Sequence, residues 1–331
     1  MTAKPKVFLA RRVYEEVERY IAEHCEVSKW TGEGRMSRDQ FFECLADVEG
    51  LLTSTSPVDA ALFDRAPKLR VVSNLSVGYN NFDLEEMKRR GVIGTHTPYV
   101  LDETVADLVL GLMISAARRI PEMDRFIRKG LWQKGADEEL FGVDIHGKTV
   151  GIIGMGRIGQ AVAARAHFGF GMKVLYSNRS RNAEAEERLK AEYVPMDRLL
   201  AESDFVVVMT PLTKETEKMI GAEQFARMKP SAVFVNASRG KVVDEAALID
   251  ALKNGVIRAA GLDVFETEPV RPDNPLLTLD NVVMTPHIGS ATRQTRFAMA
   301  MLAAKNLVAG VLGEVPPHVV PELRELVQGR K

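Results

Sequence analysis

Three residue types able to handle protons and anions stand directly after three successive apolar runs in the second half of this 331-residue chain. Arg239 follows the run 232–236, within Ala237-Ser238-Arg239-Gly240; Glu266 and Glu268 follow the run 259–263, within Asp263-Val264-Phe265-Glu266-Thr267-Glu268-Pro269; His287 follows the run 282–285. A guanidinium can hold and polarise an oxyanionic substrate, an imidazole can exchange a proton, and a carboxylate can orient and charge that imidazole. By residue type either glutamate fits the third role. The other histidines, His24, His96, His146, His167 and His318, follow no strand of this series, so His287 is the candidate acid.

An upstream motif supplies the likeness to a dinucleotide site. The run Gly154-Met155-Gly156-Arg157-Ile158-Gly159 follows an apolar strand candidate, 149–153, and precedes a helix candidate, 160–166. In that setting the first glycine makes the tight turn, the second lets backbone approach a pyrophosphate, and the third lets helix pack on strand. NAD sites carry an acidic residue about 20 positions further on for the ribose 2′-hydroxyl. Here Asn178 stands nineteen residues past Gly159, followed by Arg179-Ser180-Arg181. A carboxylate would repel a 2′-phosphate, whereas these four residues can bind one. The sequence therefore predicts NADPH as the preferred donor, with NADH as the second.

These residues need a scaffold, and the pattern supplies one. Short apolar runs alternate with amphipathic stretches, which predicts an α/β chain with doubly wound parallel sheets covered on both faces. Strands are predicted at 7–10, 48–53 and 69–73, with helices at 13–23 and 84–90; then at 149–153, 173–177, 205–210, 232–236, 259–263 and 282–285, with helices at 244–254 and 291–312. A helix at 103–117 is apolar on several faces and must be buried, between domains or between subunits. In such sheets ligands bind outside the carboxyl ends of the strands, where Arg239, Glu268 and His287 fall.

Composition narrows the partners. Forty-four Lys and Arg nearly cancel forty-five Asp and Glu, so no global field favours nucleic acid or an anionic membrane. Cys25 and Cys44 form no CxxC pair, which argues against a structural metal or a disulfide framework and fits a reducing cytoplasm. No metal, membrane or nucleic-acid partner is expected. No tyrosine has lysine four residues on, so the Tyr-x-x-x-Lys chemistry of short-chain dehydrogenases is absent.

Taken together, the motifs at 154–159, 236–240, 261–269 and 285–292 resemble, in order and spacing, the D-isomer-specific 2-hydroxyacid dehydrogenase family over essentially the whole chain. The segments 73–83 and 165–181 resemble its glyoxylate/hydroxypyruvate reductases that also act on 2-ketogluconate. The resemblance implies NADPH-dependent reduction of small 2-oxoacids. It makes Arg239, Glu268 and His287 the catalytic residues, choosing Glu268 over Glu266, with Glu268 raising the proton affinity of His287. It places Gly154, Met155, Gly156, Arg157, Ile158, Gly159, Asn178, Arg179, Ser180, Arg181, Ala237, Ser238, Asp263 and Gly289 at the cofactor, with Asp263 at the nicotinamide carboxamide. It also has the backbone N–H groups of Ser76, Val77 and Gly78, with Arg239 and His287, bind substrate. Two Rossmann-like domains follow from it: a discontinuous substrate domain, 1–100 with 290–331, and a cofactor domain, 101–289. A homodimer is implied, with 101–120 and the following arm in its interface. Proteins of the same fold that sense dinucleotides as corepressors are the alternative class, and formate or phosphite dehydrogenases the alternative within enzymes.

Overall fold

A computed structural model describes residues 3–31, 36–135 and 138–329. Two units emerge, Met1–Leu101 with Thr292–Lys331, and Asp102–Ala291. The first begins β1 (Lys6–Leu9), α1 (Glu15–His24), β2 (Glu26–Lys29), α2 (Arg38–Leu45), β3 (Gly50–Thr53), α3 (Ala60–Arg65), β4 (Val71–Asn74), α4 (Leu84–Arg90) and β5 (Ile93–Thr95). Its five strands lie parallel in the order β2-β1-β3-β4-β5. Strands β1, β3 and β4 are buried along nearly their whole length, which is why they read as continuous apolar runs. The sequence reading missed β2 and β5 for physical reasons. As an edge strand β2 is mostly exposed and carries no apolar run, and β5 is only three residues, Ile-Gly-Thr. It also missed α2, whose start is signalled by a capping box between Ser37 and Gln40.

The second unit contains α5 (Asp102–Ala117), α6 (Ile120–Arg128), β6 (Thr149–Ile153), α7 (Arg157–Ala164), β7 (Lys173–Ser177), α8 (Ala183–Leu189), β8 (Glu192–Tyr193), α9 (Met196–Glu202), β9 (Phe205–Val208), α10 (Ala222–Arg227), β10 (Val233–Asn236), α11 (Glu245–Lys253), β11 (Ala259–Leu262) and β12 (Val282–Met284). Its seven strands run in the order β8-β7-β6-β9-β10-β11-β12, all parallel. The strand order reverses between β6 and β9, which opens the crevice where doubly wound sheets take their ligands. The apolar helix α5 is covered inside this unit: Val105, Val109, Leu112 and Met113 are buried, and the helix packs on α7, β10 and β11. So its apolar character is used against the sheet of its own unit. A Cβ on Gly261 of β11 would come within 2.9 Å of the Leu112 Cβ, so the strand and helix meet almost backbone to backbone.

The last helix, α12 (Arg293–Leu312), returns to the first unit. It is long and apolar enough by composition to cross a membrane, yet 56% of the qualifying window is buried inside the protein. It packs on α1, β3, β4 and β5, as a core helix does. Thr292 caps its first turn by accepting from the Thr295 N–H.

Candidate active site

Strands β10, β11 and β12 are neighbours in register, so the loops leaving them emerge side by side. Gly240 fixes how closely the first two loops meet. A Cβ there would lie 1.9 Å from the Phe265 carbonyl, a separation no side chain tolerates. The glycine thus lets the Arg239 loop lie flat against the loop that carries Glu268. Asn236, at the end of β10, braces the turn: its Oδ1 accepts from Ser238 N–H at 3.0 Å and Ser238 Oγ at 2.8 Å, and its Nδ2 donates to Arg239 O at 3.0 Å. Ser238 is therefore buried structure more than an exposed ligand. Arg239 donates from Nη1 to Ser238 O at 2.7 Å. Burial pulls its guanidinium below the ordinary value, and the nearby Glu268 carboxylate opposes the shift.

His287 Nδ1 lies 2.7 Å from Glu268 Oε2, while Glu268 Oε1 accepts from the Phe265 N–H at 3.1 Å. Burial alone would raise the Glu268 carboxyl. The hydrogen bond and charge of His287, the Phe265 N–H and Arg239 outweigh it and hold the carboxyl below its usual range. The pair accordingly keeps an ionised carboxylate behind the imidazole and leaves the Nε2 side of the ring for a reacting group. Glu266, the rival, faces elsewhere and lies 3.8 Å from Lys218 Nζ.

His287 sits at φ 53°, a left-handed conformation that costs a non-glycine residue about 1–3 kcal/mol and persists only where neighbours enforce it. Asp263 is the enforcer. Only 1% exposed, it accepts at Oδ1 from Thr285 Oγ1 at 2.6 Å and the Ile288 N–H at 2.8 Å, and at Oδ2 from the Gly289 N–H at 2.8 Å. The carboxylate thereby clamps the turn on both sides of His287. This positioning task, which also occupies the buried Gly289, was not foreseen from the sequence.

Further along the same edge, after the interior strand β6, the glycine-rich turn has the shape its sequence implies. Gly154 lies at φ 103°, and a Cβ on it would meet the Met209 carbonyl at 2.8 Å; one on Gly159 would meet Gly154 O at 2.2 Å. A Cβ on Gly156 would meet nothing within 4 Å, so backbone there is open to close approach from outside, as a bound pyrophosphate requires. The residues present fit a dinucleotide. Met155 is buried and Ile158 half-buried, so their side chains pack while their backbone forms the turn, and Met155 O accepts from Asn182 Nδ2 at 3.1 Å. Arg157 donates to the buried Asp102 at 3.0 Å.

The turn after β7 separates two arginines that look equivalent in sequence. Arg181 forms a forked pair with Glu186, at 3.1 and 2.5 Å, and Glu186 also accepts from Tyr176 at 2.6 Å. Those bonds draw Glu186 down to about 2. Arg179 is exposed, and among the described residues it has no hydrogen bond or ion pair, only its charge acting on Glu215. Asn178 Nδ2 donates to Ser180 O at 3.2 Å and shapes the turn.

Ser76, Val77 and Gly78 belong to the other unit, in the loop that leaves β4. His96, set aside on sequence grounds, directly follows β5 and places Nδ1 2.9 Å from Val77 O. Its position at the end of a strand was the signal. It went unread because β5 is so short.

A family model described as D-isomer specific 2-hydroxyacid dehydrogenase, NAD binding domain, matches residues 110–289. The chain is 50% identical over 317 residues to glyoxylate/hydroxypyruvate reductase B of Klebsiella pneumoniae, covering 96% of this chain and 98% of that one. It is 49% identical over 319 residues to glyoxylate reductase of Korarchaeum cryptofilum, covering 96% of each. Among solved structures, the NADPH-dependent glyoxylate/hydroxypyruvate reductase of Sinorhizobium meliloti in complex with NADP and malonate has a TM-score of 0.84 at 34% identity, covering 97% of this chain and 98% of that one. The match to the family runs through the glycine-rich turn and all three loops that carry Arg239, Glu268 and His287, and the protein belongs to the D-isomer specific 2-hydroxyacid dehydrogenase family.

Proposed function

We propose that the protein reduces glyoxylate to glycolate, and hydroxypyruvate and also 2-ketogluconate to the corresponding D-2-hydroxyacids, with NADPH preferred over NADH. The observation that carries this reading is the bonded Glu268–His287 pair with the half-buried Arg239 guanidinium near Glu268, on the edge that also holds the glycine-rich turn. The relatives named glyoxylate/hydroxypyruvate reductase support the substrates. The nicotinamide supplies hydride to the keto carbon. Arg239 binds the carboxylate and polarises the keto oxygen, His287 protonates that oxygen from Nε2, and Glu268 stabilises the imidazolium. Gly154, Gly156 and Gly159, with the first turn of α7, would hold the pyrophosphate, and Arg179 with Asn178 and Ser180 the 2′-phosphate.

On this reading Asp102–Ala291 is the cofactor domain, and the other unit is the substrate domain, whose loop at Ser76, Val77 and Gly78 offers N–H groups to the substrate carboxylate. We assign the enzyme to the cytoplasm, which the two free cysteines support. A homodimer is supported by an uncovered apolar arm: α6 has no buried residue, and Ile120, Ile127, Leu131, Trp132 and Phe141 are exposed. Light scattering after gel filtration checks it, a monomer being the refuting result. The activity is tested with the three 2-oxoacids, each assayed with NADPH and with NADH. Tight NADPH binding without turnover of any of them would convert the reading to a dinucleotide sensor.

A further inference from the structure

The loop after β4 is held by its carbonyl groups. The Thr97 N–H donates to Ser76 O at 2.9 Å, His96 Nδ1 lies 2.9 Å from Val77 O, and Asn74 Nδ2 donates to Gly78 O at 2.9 Å. A carbonyl oxygen only accepts, so the proton of His96 sits on Nδ1. All three tethers come from the ends of β4 and β5, which are paired strands. In a trans peptide the N–H of the next residue points away from the carbonyl of the same plane. Three consecutive carbonyls drawn toward the sheet therefore turn three consecutive N–H groups, those of Val77, Gly78 and Tyr79, away from it. None of the three donates to any other group among the described residues. Successive backbone N–H groups presented together form an anion-binding concavity.

The tethers are themselves held. Asn74 is fully buried and also reaches Asn81 Oδ1 at 3.3 Å. His96 is gripped through its backbone, its N–H donating to His318 O at 3.1 Å and its carbonyl accepting from the buried Asn306 Nδ2 at 2.9 Å. Its ring meets Tyr79 edge-on at 5.3 Å.

We propose that His96 and Asn74 are positioning residues that pre-orient the N–H groups of Val77, Gly78 and Tyr79 to receive the carboxylate of the 2-oxoacid. The donor set thus lies one residue further along than Ser76, Val77 and Gly78. Without the imidazole donor the 77/78 peptide is able to turn, and the Gly78 N–H is lost to the substrate.

The inference rests on the proposed reductase activity, and two measurements keep them apart. In steady-state kinetics with glyoxylate and NADPH, His96→Ala raises the KM for glyoxylate about tenfold to a hundredfold, as expected for one hydrogen bond to a charged group. Its kcat and its KM for NADPH stay within about threefold. His96→Asn, whose amide nitrogen can occupy the Nδ1 position, restores most of the loss, and thermal melting of both variants confirms folding. A fall in kcat at unchanged KM, parallel rises in both KM values, or no rescue by asparagine overturns the proposal. Oxalate binding measured by calorimetry, with NADP+ present, reads the loop without turnover. Weaker binding by His96→Ala in a protein that reduces no 2-oxoacid sustains the loop assignment and rejects only the reductase; equal binding, or no binding by the unaltered protein, rejects the loop assignment.

Discussion

The carboxyl edge of the seven-stranded sheet presents side chains, whereas the edge of the five-stranded sheet presents backbone donors. The two therefore need different kinds of support. On the first, His287 is fixed by charge, with Glu268 behind its ring and Asp263 clamping its turn, while Arg239 leans on the Ser238 carbonyl. On the second, peptide planes are fixed by tethers to their carbonyls, from Asn74, His96 and Thr97. Charged supports orient and also tune protonation, while peptide tethers only orient. The seven-stranded edge should thus govern rate and pH dependence, and the five-stranded edge substrate affinity.

Variants test that division in order of effect. His287→Ala removes the proposed proton donor and should lower kcat by about 10²–10⁴-fold while leaving the KM for glyoxylate much less altered; a loss confined to KM would erase the contrast between the edges. Arg179→Ala should weaken use of NADPH by about 1.5–3 kcal/mol and spare NADH, with Arg181→Ala costing less because Glu186 already engages that guanidinium. Equal losses with both dinucleotides would remove Arg179 from the 2′-phosphate. Glu268→Gln deletes the charge behind the imidazole while keeping a side chain of the same shape, and should lower kcat with little change in the KM for glyoxylate; an unchanged kcat would make the carboxylate a mere tether like those of the other edge. The smallest effect concerns Glu186, whose carboxyl is drawn down to about 2 by Arg181 and then Tyr176. A depressed carboxyl stabilises the fold fully above its unfolded value, near 4.3, and progressively less as pH falls toward 2. The melting temperatures of the native protein and Glu186→Gln should converge over that window.

The same division explains what the sequence made legible. Arg239, Glu268 and His287 announce themselves because their chemistry resides in residue type and each follows a buried apolar strand. Gly154, Gly156 and Gly159 are legible because the absence of a side chain is itself a residue type. A backbone N–H belongs to every residue except proline, so nothing in the identities of Val77, Gly78 or Tyr79 marks them. Only the carbonyl tethers do, and these require knowing that β5 exists and ends at Thr95. The long apolar helix α5 was legible as buried, but whether a sheet, a domain or a second subunit buried it depended on partners far away in sequence. The two arginines after β7 were indistinguishable until Glu186, from α8, claimed Arg181.

Gly240 carries a consequence for anyone who would rebuild this enzyme. The Phe265 carbonyl occupies the space a methyl group would need there, so the loops bearing Arg239 and Glu268 form one cassette and cannot be exchanged singly. A substrate-specificity graft that replaced the 236–240 segment with one lacking glycine at this place would wedge the 263–269 segment outward and carry the histidine's partner with it. Loop libraries for this protein should hold Gly240 constant, or vary both segments together.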